Sequence, residues 1–171
     1  ASHTISTAQS AGWVWDIGLP SRRGVGHVYS SQHISDDQAE AELRQYIRQN
    51  LQADDSQLTP RKIDINPGHR EVFWHKNCVA MGMAAGFVEP LEASALALVE
   101  LGARALADRF PATRAAMAIQ ADRYNREFTA RWEHIVEFLK LHYLLSKRED
   151  SDYWRDHRRE TTIPMTLQAR L

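Results

Sequence analysis

The chain has 171 residues, a hydrophobic fraction of 43% and a formal net charge of −1. This length suffices for one domain or for part of a larger one, and the near-neutral charge excludes a polybasic nucleic-acid surface and an acidic disordered tail. Since no apolar segment approaches the roughly 20 residues of a membrane span, we expect neither nucleic acid nor membrane among the partners.

The first predicted element is a strand over residues 12–18, GWVWDIG, in which bulky residues alternate with small or polar ones. A turn and a second β run extend it into a hairpin over 12–32. The preceding ASHTISTAQS shows no convincing element and no Met, so we expect a fragment entered within a domain. Trp13 and Trp15 share one face of the strand, either as a core aromatic pair or as a pocket wall for a planar ligand.

Helices dominate the rest of the pattern. Ser35 and Gln38 form a capping box that opens the first helix. The third helix carries a continuous apolar stripe. The predicted helices cover about 36–52, 91–109 and 112–147, with a short one in YWRDHRRE and an irregular tail after it. The stripe consists of Met117, Ala121, Tyr124, Phe128, Trp132, Ile135 and Leu139.

Short β runs are predicted between the first two helices, at 61–65, 71–75 and 77–82. The last of them holds the one cysteine, Cys78, in the apolar run NCVAMG. It predicts a buried thiol in a reducing compartment, the cytoplasm, and excludes an internal disulfide. A few strands followed by many helices indicate a helix-rich α+β fold.

The common chemical signatures are missing. The sequence has no GxSxG, HExxH, CxxC or P-loop lysine motif, and its eight histidines show no metal-ligand spacing, so we expect no metal site. The stretch GFVEPLEASAL is more informative, because it places Glu92 at the mouth of a predicted helix whose free N–H groups attract negative charge. Glu92 either complements the helix dipole or, since small residues follow it, serves a site that a large ligand approaches closely.

Three stretches resemble the flavin-dependent tryptophan halogenases. GWVWDIG is similar to the family's WxWxIP motif, and NCVAMGMAAGFVEPLEASAL resembles its FAD-contacting GLAAGFLEPLES segment. HYLLSKREDSDYWRDHR resembles its C-terminal substrate-pocket stretch. These matches occur in the family's order and extend from Gly12 to Arg158.

The resemblance implies an FAD monooxygenase-like fold of the glutathione-reductase type with an appended helical module. Residues 1–95 would be the C-terminal part of the FAD- and halide-binding module, and 96–171 the helical substrate-pocket module. In the family, a GxGxxG motif and a catalytic lysine precede this region, and neither is present here. We therefore expect the C-terminal portion of such an enzyme, inactive in isolation.

The resemblance also implies a mechanism. Reduced FAD, oxygen and chloride or bromide give hypohalous acid, and a lysine and a glutamate direct the oxidant at an indole or tryptophan-like substrate. By its place in the motif, Glu92 is that glutamate. Backbone N–H groups of Ser94 and Ala95 would hold the halide, while Met83 and Leu96 would contact the flavin. A separate flavin reductase would supply FADH2, and a homodimer is left open.

A substrate pocket is implied by the third stretch. The family has two aromatic residues, an acidic residue and an aromatic pair at fixed spacing, and Glu149 would meet a substrate amine. The corresponding residues here are His142, Tyr143, Glu149, Tyr153 and Trp154.

Three departures keep alternatives open. Gly18 replaces the motif proline, Ala93 replaces the serine after the catalytic glutamate, and His142 replaces a tyrosine. The first two leave room for a halogenase-like flavin monooxygenase that hydroxylates. A third possibility is a non-catalytic helical binding module, because the chain lacks the FAD pyrophosphate motif.

Overall fold

The computed structural model describes residues 3–171. Within it the chain divides into two compact units, which are described separately. The first unit comprises the chain up to Ile63 together with Tyr143–Leu171, and the second comprises Asp64–His142. The division predicted between residues 95 and 96 concerns cofactor and substrate roles, so it stays a prediction; the compact units have other bounds.

The first unit contains a three-stranded antiparallel sheet. Its strands are β1 (Thr4–Gln9), β2 (Gly12–Gly18) and β3 (Arg23–Tyr29), in that spatial order. The predicted strand at 12–18 and its hairpin are confirmed. Strand β1 was not predicted, because its sequence TISTAQ is largely polar and its first residues are exposed. Its β structure comes from continuous pairing along β2 rather than from an apolar face of its own.

The turn between β1 and β2 requires glycine at its end. Gly12 pairs with both Gln9 and Tyr29, so it lies between two neighbouring strands. A Cβ atom at this position would lie 1.9 Å from the Val28 carbonyl oxygen. A side chain is therefore excluded here by the close approach of the β3 backbone.

Helix α1 (Asp36–Leu51) begins as predicted, because the Ser35 side chain accepts a hydrogen bond from the Gln38 N–H. Its Tyr46 hydroxyl donates to Asp16 Oδ2 at 3.0 Å, and Arg23 binds the same carboxylate through both oxygens at 2.6 Å. The hydrogen bonds from Arg23 and then Tyr46 hold the pKa of Asp16 below its usual range, although burial opposes them. A buried carboxylate with three donors thus fixes α1 on β2.

In the second unit, two-residue ladders precede two helices. The ladders pair β4 (Gly68–His69) with β7 (Gly86–Phe87) and β5 (Trp74–His75) with β6 (Cys78–Val79). The predicted strand at 61–65 is wrong, because this segment is exposed throughout and pairs with no described strand. The prediction of a buried thiol is also wrong, since Cys78 is exposed.

The second unit is built around helices α2 (Ser94–Asp108) and α3 (Arg114–Leu144), and the last two residues of α3 belong to the first unit. The predicted apolar stripe is confirmed, since its members are buried or pack against the core. Asn125 of α3 binds the β5 segment through three hydrogen bonds. Its Oδ1 accepts from the N–H groups of Phe73 and Trp74, and its Nδ2 donates to the Trp74 carbonyl. The core comprises Phe73, Trp74, Ala85, Leu98, Ala105, Ala121, Tyr124, Phe128 and Trp132.

Short helices complete the first unit. They are α4 (Asp152–Asp156) and α5 (Met165–Gln168), with a 3-10 turn at Glu160–Thr162 between them. Helix α4 confirms the short helix predicted in YWRDHRRE. The tail is less irregular than predicted, because it contains helix α5. Leu167 of this helix is buried in the first unit.

Candidate functional site

The segment before α2 has an unusual backbone. A single 3-10 turn covers Leu91–Ala93, and within it Glu92 adopts φ 63° and ψ 5°. Ala93 follows with φ 51° and ψ 32°, and α2 begins only at Ser94, not near Leu91 as predicted. Two consecutive non-glycine residues in the left-handed region each cost roughly 1–2 kcal/mol. Such strain concentrates at functional sites, which directs attention to Glu92.

The left-handed pair leaves the N-terminus of α2 without a side-chain cap. Ala93 is the N-cap residue and gives no side-chain hydrogen bond, since a methyl group has no acceptor. The N–H groups of Ser94 and Ala95 lie in the first turn, where no intrahelical carbonyl can accept from them. The first turn of α2 carries no acidic side chain. These amides and the helix dipole favour an anion.

The Glu92 side chain contacts the far end of α3. His142 Nε2 lies 3.2 Å from Glu92 Oε1, and His142 Nδ1 lies 2.9 Å from the Phe138 carbonyl oxygen. His142 is predicted among the substrate residues, and the structure places its imidazole against the predicted catalytic glutamate. Sequence spacing could not reveal this pair, because fifty residues separate the partners.

The predicted flavin contacts are among the most exposed apolar side chains of the second unit. Met83 is 82% exposed and Leu96 is 79% exposed. Met83 lies in a 3-10 turn, Gly82–Ala84, that contacts α2. Side chains this exposed and apolar are chemically suited to lie against the ring system of a flavin, so these residues fit the group that the sequence implies.

Three predicted substrate residues form an aromatic cluster in the first unit. Tyr143, Tyr153 and Trp154 are all buried, and their ring centroids lie 5.2 to 6.0 Å apart. His157 stacks on Tyr143 at 4.4 Å, and Trp154 Nε1 donates to the Gln9 carbonyl at 2.8 Å. The rings bury one another and anchor α4, and their role as substrate residues stays a prediction.

The predicted amine-binding residue, Glu149, is exposed and ion-paired. Its Oε1 lies 3.2 Å from Arg158 Nη2, and 76% of its side chain is accessible. Arg155 donates to its backbone carbonyl. The neighbouring Arg148 guanidinium lies 5.2 Å from the centroid of the Trp154 ring. Binding of a substrate amine by Glu149 would therefore compete with Arg158.

The two tryptophans of β2 have different surroundings. Trp13 is buried in the core of the first unit, which agrees with the core interpretation of that residue. Trp15 is half-buried, and a Cβ atom added at Gly26 would lie 2.3 Å from its ring, while one at Gly24 would lie 3.2 Å away. The Trp15 ring thus rests on a glycine surface of β3, and its role as a pocket wall stays a prediction.

No three His, Cys, Asp or Glu side chains within residues 3–171 are grouped so that they could hold a metal ion. None of the helices in that part of the chain is long and apolar enough to cross a membrane.

Known proteins place these features in context. The family model described as tryptophan halogenase matches residues 1–171. Tryptophan 7-halogenase KtzQ from Kutzneria sp. (strain 744) is 39% identical over 153 residues, which cover 90% of this chain and 28% of that protein.

Two solved structures are similar over 99% of this chain. One is a tryptophan halogenase from Shewanella frigidimarina NCIMB 400, with 51% identity, a TM-score of 0.93 and 32% of that chain covered. The other is BrvH, a flavin-dependent halogenase from Brevundimonas sp. BAL3, with 43% identity, a TM-score of 0.88 and 33% covered. This chain thus spans about a third of the length of these proteins.

Proposed function

Because this chain belongs to the tryptophan halogenase family, we propose that the complete protein carrying it halogenates an indole or tryptophan-like aromatic compound. The reaction would use reduced FAD, oxygen and chloride or bromide. One observation in this chain carries the proposal: Glu92, at the motif position of the family glutamate, is held in a strained left-handed turn directly before α2. Such strain needs compensation, and a catalytic role for the side chain supplies a reason for it.

Glu92 is the catalytic residue of this proposal. Its carboxyl group is about half exposed, so it is accessible to a substrate and to an oxidant-bearing lysine supplied outside this chain. The carboxylate would orient that lysine, and it would accept the proton that the aromatic carbon loses when the halogen adds. A fixed carboxylate performs both tasks better than a mobile one, because less orientational freedom is lost in the transition state.

The halide would be held by the backbone N–H groups of Ser94 and Ala95. Their position in the first turn of an uncapped helix supports this assignment, as does the absence of an acidic side chain from that turn. Ala93 stands where the family has serine, and its methyl group cannot compete with a halide for these amides. The substitution therefore leaves the anion site open.

The cofactor would be FAD, lying against Met83 and Leu96, whose large exposed apolar surface supports this placement. When bound in reduced form, flavin and oxygen together supply the two-electron oxidation of the halide. We place the reaction in the cytoplasm, where a separate flavin reductase would deliver reduced FAD. Residues 1–95 would complete an FAD monooxygenase-like fold, and residues 96–171 would form its helical substrate module.

The substrate would be a small aromatic compound bound near Tyr143, Tyr153 and Trp154. Since these rings already bury one another, binding would require the substrate to meet the edge of the cluster or to displace part of it. The ion pair between Glu149 and Arg158 reduces the attraction of Glu149 for an amine. This favours indole or a derivative without an amino acid group over free tryptophan.

Product analysis tests the proposal. The complete protein is supplied with a flavin reductase, NADH, FAD, oxygen, bromide and indole, and the products are identified by mass spectrometry. We expect a monobrominated indole that disappears when bromide is omitted. A hydroxylated indole formed with or without bromide would instead establish the monooxygenase alternative, and no product from either indole or tryptophan would contradict the proposal.

A further inference from the structure

The contact between Glu92 and His142 constrains where protons lie. A carbonyl oxygen can only accept a hydrogen bond, so His142 Nδ1, at 2.9 Å from the Phe138 carbonyl, carries a proton. Contact between Nε2 and Glu92 Oε1 at 3.2 Å then requires one more proton between the imidazole and the carboxyl group. That proton belongs either to an imidazolium facing a carboxylate or to a carboxylic acid facing a neutral imidazole.

The imidazole is held in one orientation from two sides. Its Nδ1 bond runs to the preceding turn of α3, and the Phe138 ring meets it edge-on, with centroids 4.8 Å apart and planes at 87°. The carbonyl and the ring both belong to Phe138 of α3. The helix itself therefore determines the position of Nε2. Both ring nitrogens are therefore engaged within the protein.

Glu92 is constrained at its backbone and at one oxygen. Its φ of 63° fixes the direction in which the side chain leaves the turn, and His142 engages Oε1. The second oxygen, Oε2, has no part in this contact. The two carboxyl oxygens therefore differ. Oε1 contacts His142 of α3, and this contact sets the orientation of Oε2.

We propose that His142 is a positioning residue for Glu92: it binds Oε1 and thereby presents Oε2 to the reacting groups. The inference rests on the proposed function of Glu92 and adds a partner that supports it from outside the GFVEPLEASAL segment. A hydrogen bond between Nε2 and Oε1 restricts the rotation of a half-exposed carboxyl group. His142 thus contributes to turnover and not to substrate affinity.

The first measurement requires no activity. Imidazole nitrogen-15 NMR spectra are recorded for the complete wild-type protein and its Glu92→Gln variant. We expect the His142 Nε2 resonance to move on substitution while the Nδ1 resonance remains that of a protonated nitrogen, and the His134 resonances of the same helix to stay in place. An unchanged Nε2 resonance would overturn the inference whatever the enzyme catalyses.

The second measurement is kinetic and uses a matched set of variants. His142→Phe removes both nitrogens, His142→Gln keeps an N–H donor near the position of Nε2, and His134→Phe is the control. From the usual strength of a hydrogen bond to a charged group, we expect His142→Phe to lower kcat roughly 10- to 100-fold. We expect its KM to change by less than about twofold, because the lost interaction is not a binding contact. His142→Gln should recover most of the loss, and His134→Phe should behave as wild type.

A double variant separates positioning from a merely structural role. If His142 acts through Glu92, His142→Phe has no further effect in a Glu92→Gln background. Equal effects in both backgrounds, or a wild-type kcat in His142→Phe, would overturn the inference while leaving the halogenase proposal intact. A wild-type protein that makes no brominated product would refute the proposed function, and the inference would fall with it.

Discussion

Two groups of predicted site residues differ in how much of their side-chain surface the chain itself buries. Tyr143, Tyr153 and Trp154 bury one another, and Trp154 Nε1 donates to the Gln9 backbone carbonyl. Met83 and Leu96 are almost fully exposed, and the turn at Glu92 is strained. The aromatic cluster therefore stabilises the fold, whereas the start of α2 lowers stability and presents surface to a ligand. Substitutions in the two groups should consequently affect different measurements.

The largest expected effect is on stability and comes from the aromatic cluster. Trp154→Ala should lower the free energy of unfolding by about 3–5 kcal/mol, the usual cost of truncating a buried Trp, because it removes packing with both tyrosines and the hydrogen bond to Gln9. Urea denaturation of the protein measures this loss. The matched control is Leu145→Ala, since Leu145 is 69% exposed and should cost under about 0.5 kcal/mol. Equal losses in the two variants would contradict a core role for the cluster.

A second effect tests polar packing in the same unit. Asp16→Asn should lower stability at neutral pH by roughly 2 kcal/mol, because hydrogen bonds to the charged carboxylate are lost. The pKa of Asp16 is lowered in the folded state, so its contribution is fully present above the unfolded-state pKa near 3.8 and is lost as the pH falls through the folded-state pKa. Unfolding curves from pH 7 to pH 2 should therefore converge for the two proteins at acid pH. A constant difference across that range would show that ionisation of Asp16 contributes nothing.

The strained turn should respond in the opposite direction. Glu92→Gly should raise stability by about 1 kcal/mol, because glycine adopts the left-handed conformation without the Cβ penalty. The matched control is Glu89→Gly: Glu89 does not have a positive φ, and there glycine should be neutral or destabilising. Thermal unfolding of both variants provides the comparison. A loss of stability in Glu92→Gly would mean that other contacts outweigh the strain.

The smallest effect on stability is expected at the flavin contacts. Met83→Ala and Leu96→Ala should each change the free energy of unfolding by less than about 0.5 kcal/mol, since these side chains bury little area. The same variants of the complete protein should bind FAD more weakly, by roughly threefold to tenfold, as measured by flavin fluorescence titration. A large loss of stability with unchanged FAD affinity would reverse the contrast between the two groups.

The sequence predicted elements that are determined by local pattern. Alternation identified β2, the Ser35 cap identified the start of α1, and the long apolar stripe identified α3. Strand β1 is missed because its β structure comes from its neighbour, and the strand predicted at 61–65 is wrong because none of the described strands pairs with it. Periodicity reports what a segment prefers by itself, and it carries no information about pairing.

The candidate site was predictable in part for the same reason. The GFVEPLEASAL segment indicated a helix entrance near Glu92, but propensity favoured extending the helix back to Leu91. The left-handed conformations of Glu92 and Ala93 have no local sequence signal, since neither residue type prefers that region. The contact with His142 depends on tertiary structure alone. The features that distinguish this site are therefore those that a single sequence reveals least.

The central claim is that Glu92 acts in halogenation rather than in folding, and one measurement tests it directly. Brominated indole formation is measured for the complete wild-type protein and its Glu92→Gln variant, with the melting temperature of each determined in parallel. We expect the variant to lose at least about 100-fold in kcat, the usual scale for a general acid–base group, with its melting temperature unchanged or raised. A variant that keeps wild-type turnover, or that loses turnover only because it unfolds, would contradict the account.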